Sequence, residues 1–381
     1  MRHELDLIEV RGFRSLADVE LRIRPLNVLI GQNGAGKSNF VELFTFVREV
    51  VEERLQQYTA KRGGAERLLF YGSKRTPEMH VSLRFPPNGY DFVLEATDDD
   101  RLIFLEEHCA FKTGDHNPYP YTERMALAGA TESGLARDVR KTSYGVSHHV
   151  LRVLRDWRVY HFHDTSRDAA VKKLADMEDV HALKSDAANL APFLRWLSLE
   201  HKKHYKILLH SIRGVLPFFK DFVFRPNPFN QQQMRLEWQD KHSDLVFTGH
   251  DLSDGSLRFI CLATLLLQPD LPSVVLLDEP ELGLHPTALE ALARLLKRAA
   301  ARTTVLVSTQ SVNLVNSFDP EDIVVTDRDE QGATTLHRLE AGPLATWLQE
   351  YSLGELWEKN VLGGKPGVPG SQALNEEEPA A

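Results

Sequence analysis

Two glycines, a lysine and a serine stand at fixed intervals in GQNGAGKS, residues 31–38. The stretch fits G-x-x-x-x-G-K-[ST], with Gly31, Gly36, Lys37 and Ser38 in the required places. A loop this poor in side chains curls tightly and turns backbone N–H groups toward an anion, so the pattern reads as a phosphate cradle. The Lys37 ammonium reaches outer phosphate oxygens, and the Ser38 hydroxyl is of the type that ligates magnesium. A second constellation lies far along the chain. In SVVLLDEPE an apolar run delivers Asp278 and Glu279 together. Carboxylates at the carboxyl end of a buried strand stand where open α/β sheets bind ligands. Asp278 is placed to hold magnesium and Glu279 to take a proton from an attacking water. A third stretch, LSDGS at 252–256, precedes the apolar run LRFICLATLLL. Ser253 or Ser256 caps that helix, and a cap of this kind also offers a hydroxyl and N–H groups to an anion.

These residues need elements to carry them. LNVLI before the glycine loop reads as a short buried strand. After the loop, Phe40, Leu43, Phe44, Val47, Val51 and Leu55 recur at helical spacing. Strand, glycine loop, helix points a helix N-terminus at phosphate. The opening ELDLIEVRGFRSLADVELRIRPLNVLI, and then HVSLRF, YDFVLEAT and RLIFLEEHCAF, alternate in the manner of strands. From about residue 165 to 220 the pattern is helical, and DFVFRPNPF, MRLEWQD and DLVFTG return to strands. Between about 250 and 340, apolar strands (SVVLLDEPE, TTVLVSTQ) alternate with helices (LRFICLATLLL, ALEALARLLKRAA), which implies a parallel sheet covered on both faces.

Composition bounds the class. The 381 residues suffice for one large or two ordinary domains, and the apolar and charged fractions are those of a globular protein. A net charge of −9 argues against a molecule coated in positive charge, while leaving room for a local basic groove. The two cysteines, Cys109 and Cys261, are far apart, which argues against a disulfide framework or zinc ribbon. With no signal-peptide core and no membrane-length apolar run, the expectation is a cytoplasmic protein. The tail GGKPGVPGSQALNEEEPAA, low in apolar residues, reads as disordered.

In order, GQNGAGKS, LSDGS, VVLLDEPELGLHP and STQS resemble the phosphate loop, signature, Walker B with D-loop, and switch of an ABC-type ATPase. The opening IEVRGFRSLADVELRIRPLNVLIGQNGAGKSN resembles the RecF/SMC-like branch, and more narrowly the predicted AAA-type ATPases related to the OLD family. VYHFHDTS, NLAPFLRWL and GELWEKNVLGG are similar to segments of that branch. The resemblance implies a P-loop NTPase of α/β class, with a parallel core sheet, an antiparallel β subdomain and a helical lobe. It divides the chain into ATPase lobe I at 1–110, an insertion at 111–245, lobe II at 246–345, and a C-terminal segment with its tail at 346–381.

The resemblance also implies ATP and Mg2+ as cofactors and a head-to-tail homodimer. Gly31, Asn33, Gly34, Ala35, Gly36, Lys37, Ser38 and Asn39 would bind ATP in one subunit, with Ser253 and Gly255 of another closing on its γ-phosphate. Ser38 and Asp278 would serve the metal, with Glu279 and Gln310 catalytic. Gln310 stands where many ABC ATPases carry histidine; glutamine donates and accepts hydrogen bonds but takes up no proton, which fits slow, regulated turnover. Arg11 or Arg14 is also implied near the nucleotide. OLD relatives carry a nuclease domain after the ATPase, and the roughly forty residues beyond the last core strand are too few for one. The expected partners are therefore a second copy, a separate effector or nuclease, and DNA or RNA, with no membrane. The implied setting is genome maintenance or anti-phage defence. Two alternatives stand: a nucleotide-gated scaffold whose binding rather than hydrolysis controls a partner, and a transporter ATPase subunit, disfavoured by the long insertion and the FRS opening.

Other features take ordinary readings. HFHD places His161 and His163 on one face of an expected strand; two histidines need further ligands to hold a metal, and polar packing is the preferred reading. HKKHYK, KRGGAER and YGSKR are basic clusters, read first as solvated faces and second as phosphate-backbone contacts.

Overall fold

The computed structural model describes residues 5–112, 121–142 and 144–364. The tail expected to be disordered lies largely outside them. The chain divides into two compact units: residues 1–157 with 272–274 and 319–381, and residues 158–271 with 275–318.

The first unit contains an antiparallel sheet with strands in the order Leu16–Arg22, Leu7–Phe13, Glu78–Phe85, Asn88–Ala96, Leu102–Phe111, Tyr121–Ala126. Alternation along Glu78–Phe85 buries Met79, Val81, Leu83 and Phe85, the period-two signature of a sheet with one covered face. Glu107, fully buried in this sheet, accepts hydrogen bonds from the Tyr90 hydroxyl at 2.6 Å, the Ser133 hydroxyl at 2.5 Å and the Gly134 N–H at 2.8 Å. Leu26–Ile30 belongs to a different sheet: it pairs in parallel with Ile323–Arg328, which pairs antiparallel with Thr334–Arg338. All five of its residues are buried, as expected for a core strand of an α/β fold. The helix Lys37–Val51 follows the glycine loop and buries Phe40, Leu43, Phe44, Val47 and Val51, as expected from spacing, whereas Leu55, expected to continue it, opens a separate helix, Leu55–Lys61, after a break at 52–54.

The second unit carries all but the first residue of Val274–Asp278, which has Trp157–Tyr160, likewise assigned to this unit from its second residue, on one side and Thr304–Ser308 on the other. Helices Asp254–Leu267 and Pro286–Ala300 pack on each other. Leu190–Glu200 and Lys202–Val215 supply the helical lobe, and Phe219–Phe222, Glu237–Asp240 and Val246–Thr248 form a small antiparallel sheet.

Two sequence expectations require correction. Residues 165–189 are mostly irregular, and the helices begin only at Leu190. Short polar side chains there capture the backbone N–H groups a helix would use: Asp164 takes that of Ser166, Asp176 that of Glu178, and Asp186 that of Ala188. Asn189 accepts from Lys184 N–H and donates to the carbonyls of Asp179 and Ala182. The second correction concerns HFHD. The strand ends at Tyr160, and both histidines lie just past it. Alternation nevertheless continues, with Phe162 buried between them.

Candidate active site

In the first unit, the glycine loop is shaped by close approach. Gly31 has φ 149°, and a Cβ there would meet the Thr326 carbonyl oxygen at 2.2 Å. Gly36, at φ 115°, would place a Cβ 2.0 Å from the Thr334 hydroxyl oxygen. That hydroxyl donates within a cluster holding Ser15 Oγ at 2.7 Å and the Ala35 carbonyl at 2.9 Å. Gly34, also left-handed, has nothing within 4 Å of such a Cβ, so there the backbone conformation rather than space requires glycine. The Lys37 side chain is buried along the loop, its Nζ donating to the carbonyls of Gly31 at 2.6 Å and Gln32 at 3.0 Å. Asn33, Gly34 and Ser38 are exposed, whereas Ala35 and Gly36 are buried. Asn39 donates to Ser15 Oγ at 2.7 Å and accepts from Arg14 at 3.4 Å. Arg14 also pairs with Glu42 at 2.7 Å on the helix that follows the loop, while Arg11 pairs with exposed Asp18.

The C-terminal segment meets the same loop. Gln32 N–H donates to the Gly364 carbonyl at 3.0 Å, and Gly364 N–H donates to Asp327 at 3.1 Å. GELWEKNVLGG stood out in the sequence only by likeness. Its helix, Leu353–Glu358, is set by a Ser352/Glu355 capping box, a signal readable from spacing, but its docking against residues more than three hundred positions earlier was not.

The second unit brings together the acidic strand end and the switch. Asp278 accepts a hydrogen bond from the Ser308 hydroxyl. Glu279 follows at φ 41°, a left-handed conformation costly for a side-chain-bearing residue and typical of functional positions. Its N–H is tied to the Ser308 carbonyl at 2.9 Å. The Gln310 amide donates to its carboxylate, so the residues expected to be catalytic are in direct contact. Glu281, which sequence reasoning passed over, holds that arrangement. One of its buried carboxylate oxygens accepts from Thr309 Oγ1 at 2.6 Å and Gln310 N–H at 2.8 Å. Burial holds its carboxyl above the usual range, with these hydrogen bonds acting in the opposite direction.

At the signature, Ser253 caps the helix Asp254–Leu267, accepting from Ser256 N–H at 3.2 Å, and remains exposed. Gly255 has a packing duty of its own: a Cβ there would lie 2.2 Å from the Gly283 carbonyl oxygen. His161 and His163 lie beside Asp278, with one ligand atom from each within 4.8 Å of the others. Burial holds the His161 imidazole below its ordinary value, the Asp278 carboxylate acting the other way. No local spacing in the sequence marks this third partner.

Comparison with known proteins identifies the family and the fold. A family model described as "AAA domain, putative AbiEii toxin, Type IV TA system" matches residues 26–316. An OLD nuclease of Thermus scotoductus is 23% identical over 355 residues, covering 86% of this chain; the chain spans 63% of that protein's length. The phosphate import ATP-binding protein PstB of Thermotoga maritima is 32% identical over 75 residues, 20% of this chain and 29% of that protein. Among solved structures, an Smc head bound to the C-winged helix domain of ScpA superposes with a TM-score of 0.59 at 14% identity, covering 90% of this chain and 99% of that one. An Smc head with an extended coiled coil, bound to the C-terminal domain of ScpA derived from Pyrococcus furiosus, gives 0.53 at 13% identity, covering 91% and 99%. The chain therefore belongs to that AAA-domain family, as an ATPase head of RecF/SMC-like fold related to the OLD nuclease.

Proposed function

We propose that this chain binds and hydrolyses ATP with magnesium at a head-to-tail homodimer interface and couples turnover to an effector, a nuclease or a nucleic acid. The observation that carries this reading is the contact between Glu279 and Gln310 at the end of an apolar strand, with Glu279 held in a left-handed conformation.

The residues present fit the nucleotide. Thr326 and Thr334 leave no room for a side chain at Gly31 or Gly36, so the loop stays bare of groups that would fill a phosphate's place. Lys37 lies within it, its ammonium bonded to two loop carbonyls that phosphate oxygens would replace as stronger, charge-assisted acceptors. Ser38 and Asp278 are the residues that would hold magnesium, which when bound neutralises charge on the phosphate oxygens. Glu279 supplies the carboxylate that takes the proton of the attacking water, and the Gln310 amide fixes its direction. Arg14, in the turn after Leu7–Phe13, stands beside the loop's helix through Asn39 and Glu42. Exposed Ser253 is the group that would meet the γ-phosphate held by a second copy. The relative named a nuclease and the family description naming a toxin support an effector partner in genome maintenance or defence.

Glu279→Gln tests the assignment. The substitution nearly preserves shape while removing basicity, so ATP binding persists, phosphate release stops, and ATP shifts the protein to a dimer by light scattering. Undiminished phosphate release would remove Glu279 from the catalytic role.

A further inference from the structure

We propose that His161, His163 and Asp278 form a binding site for a divalent transition-metal ion. All three belong to the second unit, and one ligand atom from each lies within 4.8 Å of the other two. Tetrahedral ligands about 2.1 Å from one ion are about 3.4 Å apart, so the widest pair needs to close by at most about 1.4 Å, within reach of side-chain rotation.

The histidines are held for the purpose by their backbone. The buried Arg258 guanidinium donates to the Phe162 carbonyl at 2.9 Å and the His163 carbonyl at 3.0 Å. His161 N–H donates to the Ser185 carbonyl at 2.9 Å. Phe162 is buried, and alternation about it leaves the two imidazoles on one side, ring centres 6.1 Å apart. His161 is exposed and His163 half-buried, and the two rings stand beside each other and a carboxylate, open to an ion from solution.

The donor set selects the ion. Two imidazoles and one carboxylate suit zinc, cobalt or manganese, whereas magnesium prefers oxygen ligands and retains its waters. Three protein ligands leave coordination positions open, the mark of a site that admits water or substrate rather than of a closed structural one. Because Asp278 is a member, an ion held here withdraws from ATP turnover the carboxylate assigned above to magnesium. This consequence rests on the proposed ATPase reading; the metal site itself does not.

The test is a Co2+ titration of the nucleotide-free full chain in millimolar Mg2+, read by visible d–d absorption and metal stoichiometry. One saturable equivalent is expected. The His161→Ala/His163→Ala double variant, its fold checked by circular dichroism, should lose the band and bind more than ~100-fold more weakly, since losing even one outer-shell partner of a metal site costs up to about that factor. Absence of a saturable band in the unmodified protein, or an unchanged band and affinity in the folded double variant, would overturn the site. A second arm adds Zn2+ to Mg2+-supported phosphate release: zinc should inhibit the unmodified protein and spare the double variant. Saturable Co2+ binding without any phosphate release would leave the metal site standing and defeat the ATPase reading instead.

Discussion

Lys37 shows what a single side chain can reveal about its loop. Its ammonium is buried against the Gly31 and Gln32 carbonyls, contacts any flexible donor could replace, and it contributes little to the hydrophobic core. Lys37→Ala is therefore expected to melt within a few degrees of the unmodified protein while losing ATP binding, measured by fluorescent-nucleotide titration; retained tight binding by the folded variant would contradict the assignment. Glu281 is a positioning residue: it touches Thr309 and Gln310, and acts on the chemistry only through them. Glu281→Ala should lower kcat by roughly 100-fold with little change in KM, because the switch amide loses its anchor, and Glu281→Gln, which keeps an acceptor oxygen, should restore most of it. An equal loss in both variants would instead indicate a need for the carboxyl itself. The phosphate-loop pattern and the acidic pair at the strand end could be picked out from the sequence because fixed spacing and an apolar run mark them. Glu281, Thr326 and Thr334 could not, because their roles arise from approach in space and carry no local pattern.

Elements were legible where periodicity was strong and opaque where polar side chains compete for the backbone. Leu26–Ile30, Val274–Asp278, Thr304–Ser308 and the helices after each motif follow from apolar runs and spacing. Residues 165–189 carry enough Ala, Leu and Lys to suggest a helix, yet Asp164, Asp176, Asp186 and Asn189 hold the chain in turns. In the antiparallel sheet, Glu107 interrupts an otherwise apolar interior and gathers three donors. Burial holds its carboxyl above the ordinary value of 4.5, these donors pulling the other way. The folded chain thus keeps a proton that the unfolded chain releases. Its stabilising contribution is full below the ordinary value and declines as pH rises through the raised one. Melting temperatures measured across that interval should show a downward slope that Glu107→Gln flattens; the same slope in the variant would assign it elsewhere. Glu107→Ala, by leaving the three donors without an acceptor, should cost about 3 kcal/mol or more.

At the scale of the whole molecule, the RecF/SMC-like head fold was visible in the order of the motifs, whereas assembly depends on what Ser253 does. As a cap alone, its loss would cost about 1 kcal/mol and leave turnover nearly intact. As the group that closes on ATP held by a second copy, it must stay exposed, and it does. Ser253→Arg should then leave nucleotide affinity almost unchanged, since the phosphate loop is untouched, but block ATP-driven dimerisation and turnover. The most direct measurement is phosphate release by Ser253→Arg alone, by Lys37→Ala alone, and by their equimolar mixture. A head-to-tail dimer predicts two inactive variants whose mixture regains part of the activity, through one composite site built from the intact loop of the first and the intact signature of the second. Full activity of Ser253→Arg by itself would contradict the composite site.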